Sequence, residues 1–114
     1  FYDDVFLAAP LASPYASHAK IDLQQIKEEK FVTLTEGYAT SEDFEYCFQK
    51  AGFRPSIVMR VKDIFSLINL ISAGMGYSLL PGRIAEFSHR IELIPLHEQY
   101  ATRQMITLLI LKSR

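Results

Sequence analysis

One cysteine, Cys47, stands among 114 residues. A lone thiol cannot build an internal disulfide framework, so a reducing compartment is the simpler setting. Charge of one sign is equally scarce: 12 Lys and Arg against 13 Asp and Glu leave a formal net charge of −1, with no basic run. Gripping a phosphate backbone takes clustered cations, so this chain is not read as a nucleic-acid-binding domain in itself. No apolar run approaches the roughly 20 residues that span a bilayer. No basic segment followed by an apolar one opens the chain as a secretory signal does. The histidines, His18, His89 and His97, are far apart and have no Cys or His partner at metal-ligand spacing. They read as exposed loop residues.

The recurrent catalytic signatures also fail in detail. Gly74-Met75-Gly76 begins like a dinucleotide fingerprint, but Leu79 occupies the third glycine position, and the segment runs from helix to strand, the reverse of what pyrophosphate binding requires. Gly76-Tyr77-Ser78 is no nucleophile elbow, since Leu80 stands where the second glycine is needed. Asp3-Asp4 and Glu28-Glu29 are adjacent acidic pairs that solvation explains better than acid–base work. No catalytic constellation emerges, and no cofactor or metal is called for. The composition, 49% hydrophobic and 22% charged, is that of one ordinary globular domain with a modest core.

The stretch from Val58 to Pro81 organises what is present. Val58–Val61 is a short β-prone run, and Asp63 is suited to cap a helix because its carboxylate can accept from the free N–H groups of the first turn. Ile64, Leu67, Ile68 and Ile71 recur at i, i+3, i+4 and i+7 and form one apolar stripe. Phe65 and Leu70 add apolar surface beside it, which predicts a helix covered on more than one side. Gly74 suits the left-handed residue that ends a helix, and Gly76 allows a close turn into the strand Tyr77–Leu80, which Pro81 stops. Such a β-α-β unit favours a parallel pair.

Upstream, Val5–Ala9 reads as a strand closed by Pro10, Asp22–Ile26 as a short helical turn with Leu23 and Ile26 inward, and Phe31–Leu34 as a second strand. A helix over Ser41–Ala51 places Phe44, Cys47, Phe48 and Ala51 on its core face, which makes Cys47 an inert buried thiol. Gly82–Phe87 reads as a short helix, and Ile91–Pro95 and Met105–Leu111 as strands. The chain opens on Phe1 and runs almost at once into a strand, so a piece of a longer protein is expected.

The loop Thr35-Glu36-Gly37-Tyr38-Ala39-Thr40 joins the carboxyl end of a strand to the start of a helix. Ligands bind there in open α/β sheets, and a helix N-terminus favours anions. Hydroxyls and glycine before a helix are also ordinary capping and turn residues, with Thr40 and Asp43 close to a capping box. Both readings remain open on chemistry alone.

Several segments, in order, carry a family resemblance: Leu7-Ala8-Ala9-Pro10 with Ser13-Pro14-Tyr15-Ala16, then Phe31-Val32-Thr33-Leu34-Thr35-Glu36-Gly37, then Phe48-Gln49-Lys50-Ala51-Gly52-Phe53-Arg54-Pro55. Val61-Lys62-Asp63 and Ala73-Gly74-Met75-Gly76-Tyr77-Ser78-Leu79-Leu80-Pro81 complete the set. Together they resemble the second lobe of the effector-binding domain of LysR-type transcriptional regulators, across nearly the whole chain. The predicted elements give an α/β fold with a central mixed sheet of about five strands, mostly parallel, and helices on both faces; this resembles one Rossmann-like lobe of a type II periplasmic-binding-protein fold. The resemblance implies a cytoplasmic bacterial regulator whose winged helix-turn-helix domain, absent from this chain, binds DNA. A small organic acid would lie in a cleft between this lobe and another, and the parent would form dimers and tetramers.

On this lobe the resemblance points to Thr35, Gly37 and Tyr38 at the cleft, with Glu36 turned outward. Asp63, Ile64 and Phe65 would form the other wall, and Pro81 and Gly82 would lie at a third strand end. It places Tyr46, Gln49, Met59 and Arg60 on a dimer surface, where plain solvated surface is the competing reading. Asp63-Ile64-Phe65-Ser66-Leu67 and Leu79-Leu80-Pro81-Gly82-Arg83 most resemble regulators of malonate use. The rivals are a lobe of a secreted solute-binding protein and a lobe of an α/β enzyme whose catalytic residue lies elsewhere.

Overall fold

The computed structural model describes residues 5–35, 39–86 and 88–97, with backbone alone over 39–43. Glu36, Gly37, Tyr38, Phe87, the acidic pair Asp3-Asp4, the side chains of Thr40 and Asp43, and the strand expected over Met105–Leu111 lie outside the described residues. Among the described residues there are five strands: β1 (Val5–Pro10), β2 (Lys30–Leu34), β3 (Ser56–Val61), β4 (Ser78–Pro81) and β5 (Ile91–Pro95). Two longer helices, α1 (Ala39–Ala51) and α2 (Ile64–Ser72), join short 3-10 helices over Leu23–Ile26 and Gly82–Glu86.

β1 lies between β4 and β5 and runs antiparallel to both, pairing Leu7 with Leu79 on one side and with Ile94 on the other. β2 and β3 form a separate parallel pair ending at Leu34 opposite Val61. A single parallel bridge, Phe31 to Tyr77, stitches the two sheets, through Val32 N–H to Tyr77 O at 2.8 Å and Tyr77 N–H to Lys30 O at 2.9 Å. The sheet is mixed as expected, but the expectation that its strands are mostly parallel is corrected: among the described residues two of the three strand pairings are antiparallel. Leu7, Ala8 and Ala9 are all fully buried, as a strand covered on both faces must be. A run of apolar residues dictates that central position but carries no information on strand direction.

Alternation along the strands divides the core. One face collects Val5, Leu7, Ala9, Phe31, Leu79 and Ile94 beneath the α1 stripe of Phe44, Cys47, Phe48 and Ala51, with Leu23 and Ile26 beside them. The other collects Ala8, Val32, Leu34 and Leu80 beneath Leu67, Ile68 and Ile71 of α2, with Ile84 and Ile91 at the margin. Helices thus cover both faces, and Cys47 is buried as its position in the stripe requires.

α2 shows why its sequence folds as it does. Asp63 accepts from Ser66 N–H at 2.8 Å and caps the helix, and Gly74 adopts a positive φ of 81° just beyond its end. The helix is covered on its sheet side only among the described residues: Leu70 and Ile64 are half-buried against the same cluster, while Phe65 is 66% exposed. At Gly76 a Cβ would lie 3.0 Å from Lys30 O and 3.2 Å from the Phe31 carbonyl carbon. A side chain there would crowd β2, whose backbone passes close against this turn.

Candidate functional site at the strand carboxyl ends

β2 and β3 run side by side, and the Phe31–Tyr77 bridge sets β4 parallel to β2. The carboxyl ends of all three strands therefore reach one edge of the molecule. Thr35 follows β2 and donates its N–H to Val61 O at 2.9 Å, joining two of these ends. Pro81 stands as far beyond Tyr77 as Thr35 stands beyond Phe31, which brings both to that same edge. α1, α2 and the 3-10 helix over Gly82–Glu86 each begin just past one of the strand ends. The edge thus receives the positive ends of the helix dipoles.

Of the residues singled out from the sequence, Thr35, Asp63, Ile64, Phe65 and Pro81 are gathered at this edge, and Gly37 and Tyr38 lie outside the described residues. Thr35 is half-buried. The exposed Asp63 carboxylate accepts from Ser66 N–H at 2.8 Å with one oxygen and from Ser66 Oγ at 2.9 Å with the other. The Ser66 backbone bond, then its hydroxyl, holds the Asp63 carboxyl below its ordinary pKa, so it is ionised near neutral pH. Phe65 offers an aromatic face to solvent in the first turn of α2, whereas Pro81 is buried in the strand it ends. A Cβ on Gly82 would meet the Phe6 ring at 2.8 Å, so glycine there lets the chain turn tightly over β1.

A second concavity, of about 580 Å³, runs along α1 and β3 and includes none of these residues. Phe44, Phe48, Phe53, Ile57, Arg54 and Arg60 line much of it, with Gln49 at its margin. β3 pairs only with β2 among the described residues, and Val58 and Met59 on it are exposed. Of the four residues assigned to a dimer surface, Gln49 and Arg60 line this groove, Met59 is exposed on the neighbouring strand, and Tyr46 is half-buried against the core. Sequence reasoning did not find the groove. The run of Phe44, Phe48 and Phe53 was its available signal, since Phe53 lies beyond the helix and extends the aromatic surface of Phe48 toward β3.

At the opposite end of the strands, two further bonds tie the loop after β1 to the sheet. Ser13 Oγ and Tyr77 OH share a buried hydrogen bond of 2.9 Å, and Tyr15 OH donates to Glu29 Oε2 at 2.8 Å. The bond to Glu29, then partial burial, pushes the Tyr15 pKa up to about 12. His18, His89 and His97 are exposed, and no group of three or more His, Cys, Asp or Glu side chains suited to a metal occurs among the described residues. No described helix is long and apolar enough to cross a membrane.

An α/β domain with helices on both faces and its loops gathered at the strand carboxyl ends has a periplasmic-binding-protein-like fold. Within that class the chain belongs to the LysR substrate binding domain family, whose model matches residues 1–114. The malonate utilization transcriptional regulator of Klebsiella pneumoniae is 45% identical over 109 residues, covering 95% of this chain and 35% of that protein. The chain therefore spans about a third of the length of that relative. Two solved structures share the fold. The effector binding domain of QuiR in complex with shikimate has a TM-score of 0.72 at 17% identity, covering 85% of this chain and 46% of that one. The BenM effector binding domain with benzoate has a TM-score of 0.70 at 18% identity, covering 86% and 46%. These relatives are transcriptional regulators or their effector-binding domains, not enzymes.

Proposed function

We propose that this chain is the second effector-sensing lobe of a LysR-type transcriptional regulator, and that its effector is a small organic acid of the malonate class. The observation that carries the ligand class is the 45% identity to a malonate utilization regulator over 95% of the chain. Shikimate and benzoate, the molecules bound in the two structural neighbours, are likewise small carboxylic acids.

In this reading the acid lies against the strand carboxyl ends. The Thr35 hydroxyl and the backbone of Gly37 and Tyr38 donate to a carboxylate, and Ile64 and Phe65 supply an apolar wall. A second lobe closes the cleft. The effector acts by binding one arrangement of lobes or subunits better than another, and so shifts the population toward it. The groove along α1 and β3, with Gln49, Met59 and Arg60, serves as subunit contact in a dimer or tetramer. DNA is bound by a separate helix-turn-helix domain of the parent, and the protein works in the cytoplasm.

The test is a thermal-shift titration of the full-length regulator with malonate and other short mono- and dicarboxylates. A ligand at a hundred times its Kd stabilises its target by about 2.7 kcal/mol, which is read as a higher Tm. Thr35→Val should abolish the shift. Absence of a shift with every acid would refute the organic-acid assignment.

A further inference from the structure

A local irregularity in the sheet shapes the groove along α1 and β3. Ile57 pairs with Phe31 and Met59 with Val32, which leaves Val58 as an extra residue and shifts the register by one. Phe31 belongs to the face beneath α1, and Val32 to the face beneath α2. Strict alternation would put Ile57 and Arg60, three residues apart, on opposite faces. The bulge removes that difference: Arg60 pairs with Thr33, two residues after Phe31, and lines the groove together with Ile57. Re-aiming a side chain at a sheet edge is a common use of such a bulge.

The opposite wall comes from the end of α1. Gly52 adopts a positive φ of 85°, and its N–H donates to Phe48 O at 3.0 Å, which closes the helix. The chain then folds back, so that the Phe53 ring meets Phe48 edge to face with centroids 5.3 Å apart. Arg54 follows at once. The resulting concavity of about 580 Å³ is lined by buried Phe44 and Phe48, half-buried Phe53 and Ile57, and the exposed side chains of Arg54 and Arg60. Neither guanidinium meets a partner among the described residues. Glu45 supplies one carboxylate against these two cations. Pockets of about 300–1,000 Å³ with apolar walls and a few convergent polar groups are typical of small-molecule sites.

We propose that this groove is a second small-molecule site, and that it takes an aromatic carboxylic acid. The ring lies against Phe53 and Ile57, and the carboxylate accepts from Arg54 and Arg60. None of the residues gathered at the strand-end edge lines the groove, so the site does not depend on the malonate-class effector assigned to that edge. Arg60 also belongs to the subunit contact proposed above, and through it the filling of the groove is linked to assembly.

Isothermal titration of the full-length regulator with phenylacetate tests the site, with and without saturating malonate. Phenylacetate should bind in both conditions. Arg54→Gln and Arg60→Gln, both at exposed positions, should each weaken it about tenfold, the scale of one charge-assisted hydrogen bond. Phenylacetamide, which lacks the charge, and acetate, which lacks the ring, should each bind weaker than phenylacetate by about tenfold or more. Absence of phenylacetate binding would overturn the proposal, as would binding that neither arginine variant weakens or that acetate or phenylacetamide equals. Binding that malonate displaces and Thr35→Val abolishes would also overturn it, and would assign phenylacetate to the strand-end cleft. Arginine-dependent phenylacetate binding in a protein that binds no malonate would uphold the groove site while refuting the malonate assignment.

Discussion

Replacing Ser78 with alanine should make the fold more stable, although it deletes a polar group from a central strand. Ser78 is 1% exposed, and its Oγ has no hydrogen-bond partner among the described residues. It pairs with Ala8 across the β1–β4 ladder, and alternation with Leu79 turns it toward the face that α2 covers. A buried hydroxyl without a partner costs about 1–3 kcal/mol. Removing one oxygen leaves a void of about 10 Å³, worth about 0.2 kcal/mol on the cavity scale of about 24 cal/mol per Å³. The balance favours Ser78→Ala by about 1 kcal/mol, or a rise in Tm of about 4–8 °C for a domain of this size.

Ser13 is the internal control. It is also buried, at 8% exposure, but its Oγ bonds Tyr77 OH at 2.9 Å and accepts from Tyr15 N–H at 3.2 Å. Ser13→Ala strands the Tyr77 hydroxyl and should cost about 1–2 kcal/mol. Urea unfolding of the two variants beside the wild type, with m-values checked for equality, measures both. A Ser78→Ala variant less stable than the wild type by 1 kcal/mol or more would refute the reasoning, since the hydroxyl would then be satisfied.

Further predictions concern the loop tether and the flush glycine. Tyr15 has its pKa raised in the folded state to about 12 from 10.0, so its neutral form is the one the fold favours. That stabilisation is complete below pH 10 and is lost as pH rises through 12. Tyr15→Phe should therefore flatten the stability profile across that window in an alkaline denaturation series. Gly76→Ala forces a methyl against the Lys30 carbonyl oxygen and the Phe31 carbonyl carbon. It should destabilise by about 1–3 kcal/mol in the same urea assay.

Much of the architecture was legible because it is written in local periods. The i, i+3, i+4, i+7 stripes of Phe44-Cys47-Phe48-Ala51 and Ile64-Leu67-Ile68-Ile71 fix two helices and the faces they bury. Asp63 and Gly74 mark the ends of α2 through capping chemistry that needs no partner beyond the neighbouring turn. Ile91–Pro95 was bounded correctly as a strand. Strand direction and order were not legible, because a period of two tells which face a residue meets but not which strand lies beside it. The same limit hid the Ser13–Tyr77 and Tyr15–Glu29 bonds, which join distant segments. Phe65, expected beside the stripe on a further side of the helix, is exposed, and nothing among the described residues covers it. Thr35, Asp63 and Ile64 could be placed at strand-to-helix junctions from sequence because such junctions are recognisable there, and the structure brings them to one edge. The groove along α1 and β3 could not, since it takes both elements to form it.

The place of β1 also governs how the molecule is made. It precedes every other described strand in the sequence and is the middle strand of its sheet, and its partners β4 and β5 are the last described strands to appear. Val5 waits for Pro81, and Phe6 for Pro95. Until those arrive, β1 is a short, wholly apolar segment with both backbone edges unpaired, open to chaperones and to other nascent chains. β2, α1, β3 and α2 can associate early through nearer contacts. Completing the three-stranded sheet then requires one large loop closure, which sets a slow step of high contact order. A stalled or truncated product ending before β5 would be left with an exposed edge on β1, so losing a late strand would compromise the earliest described one.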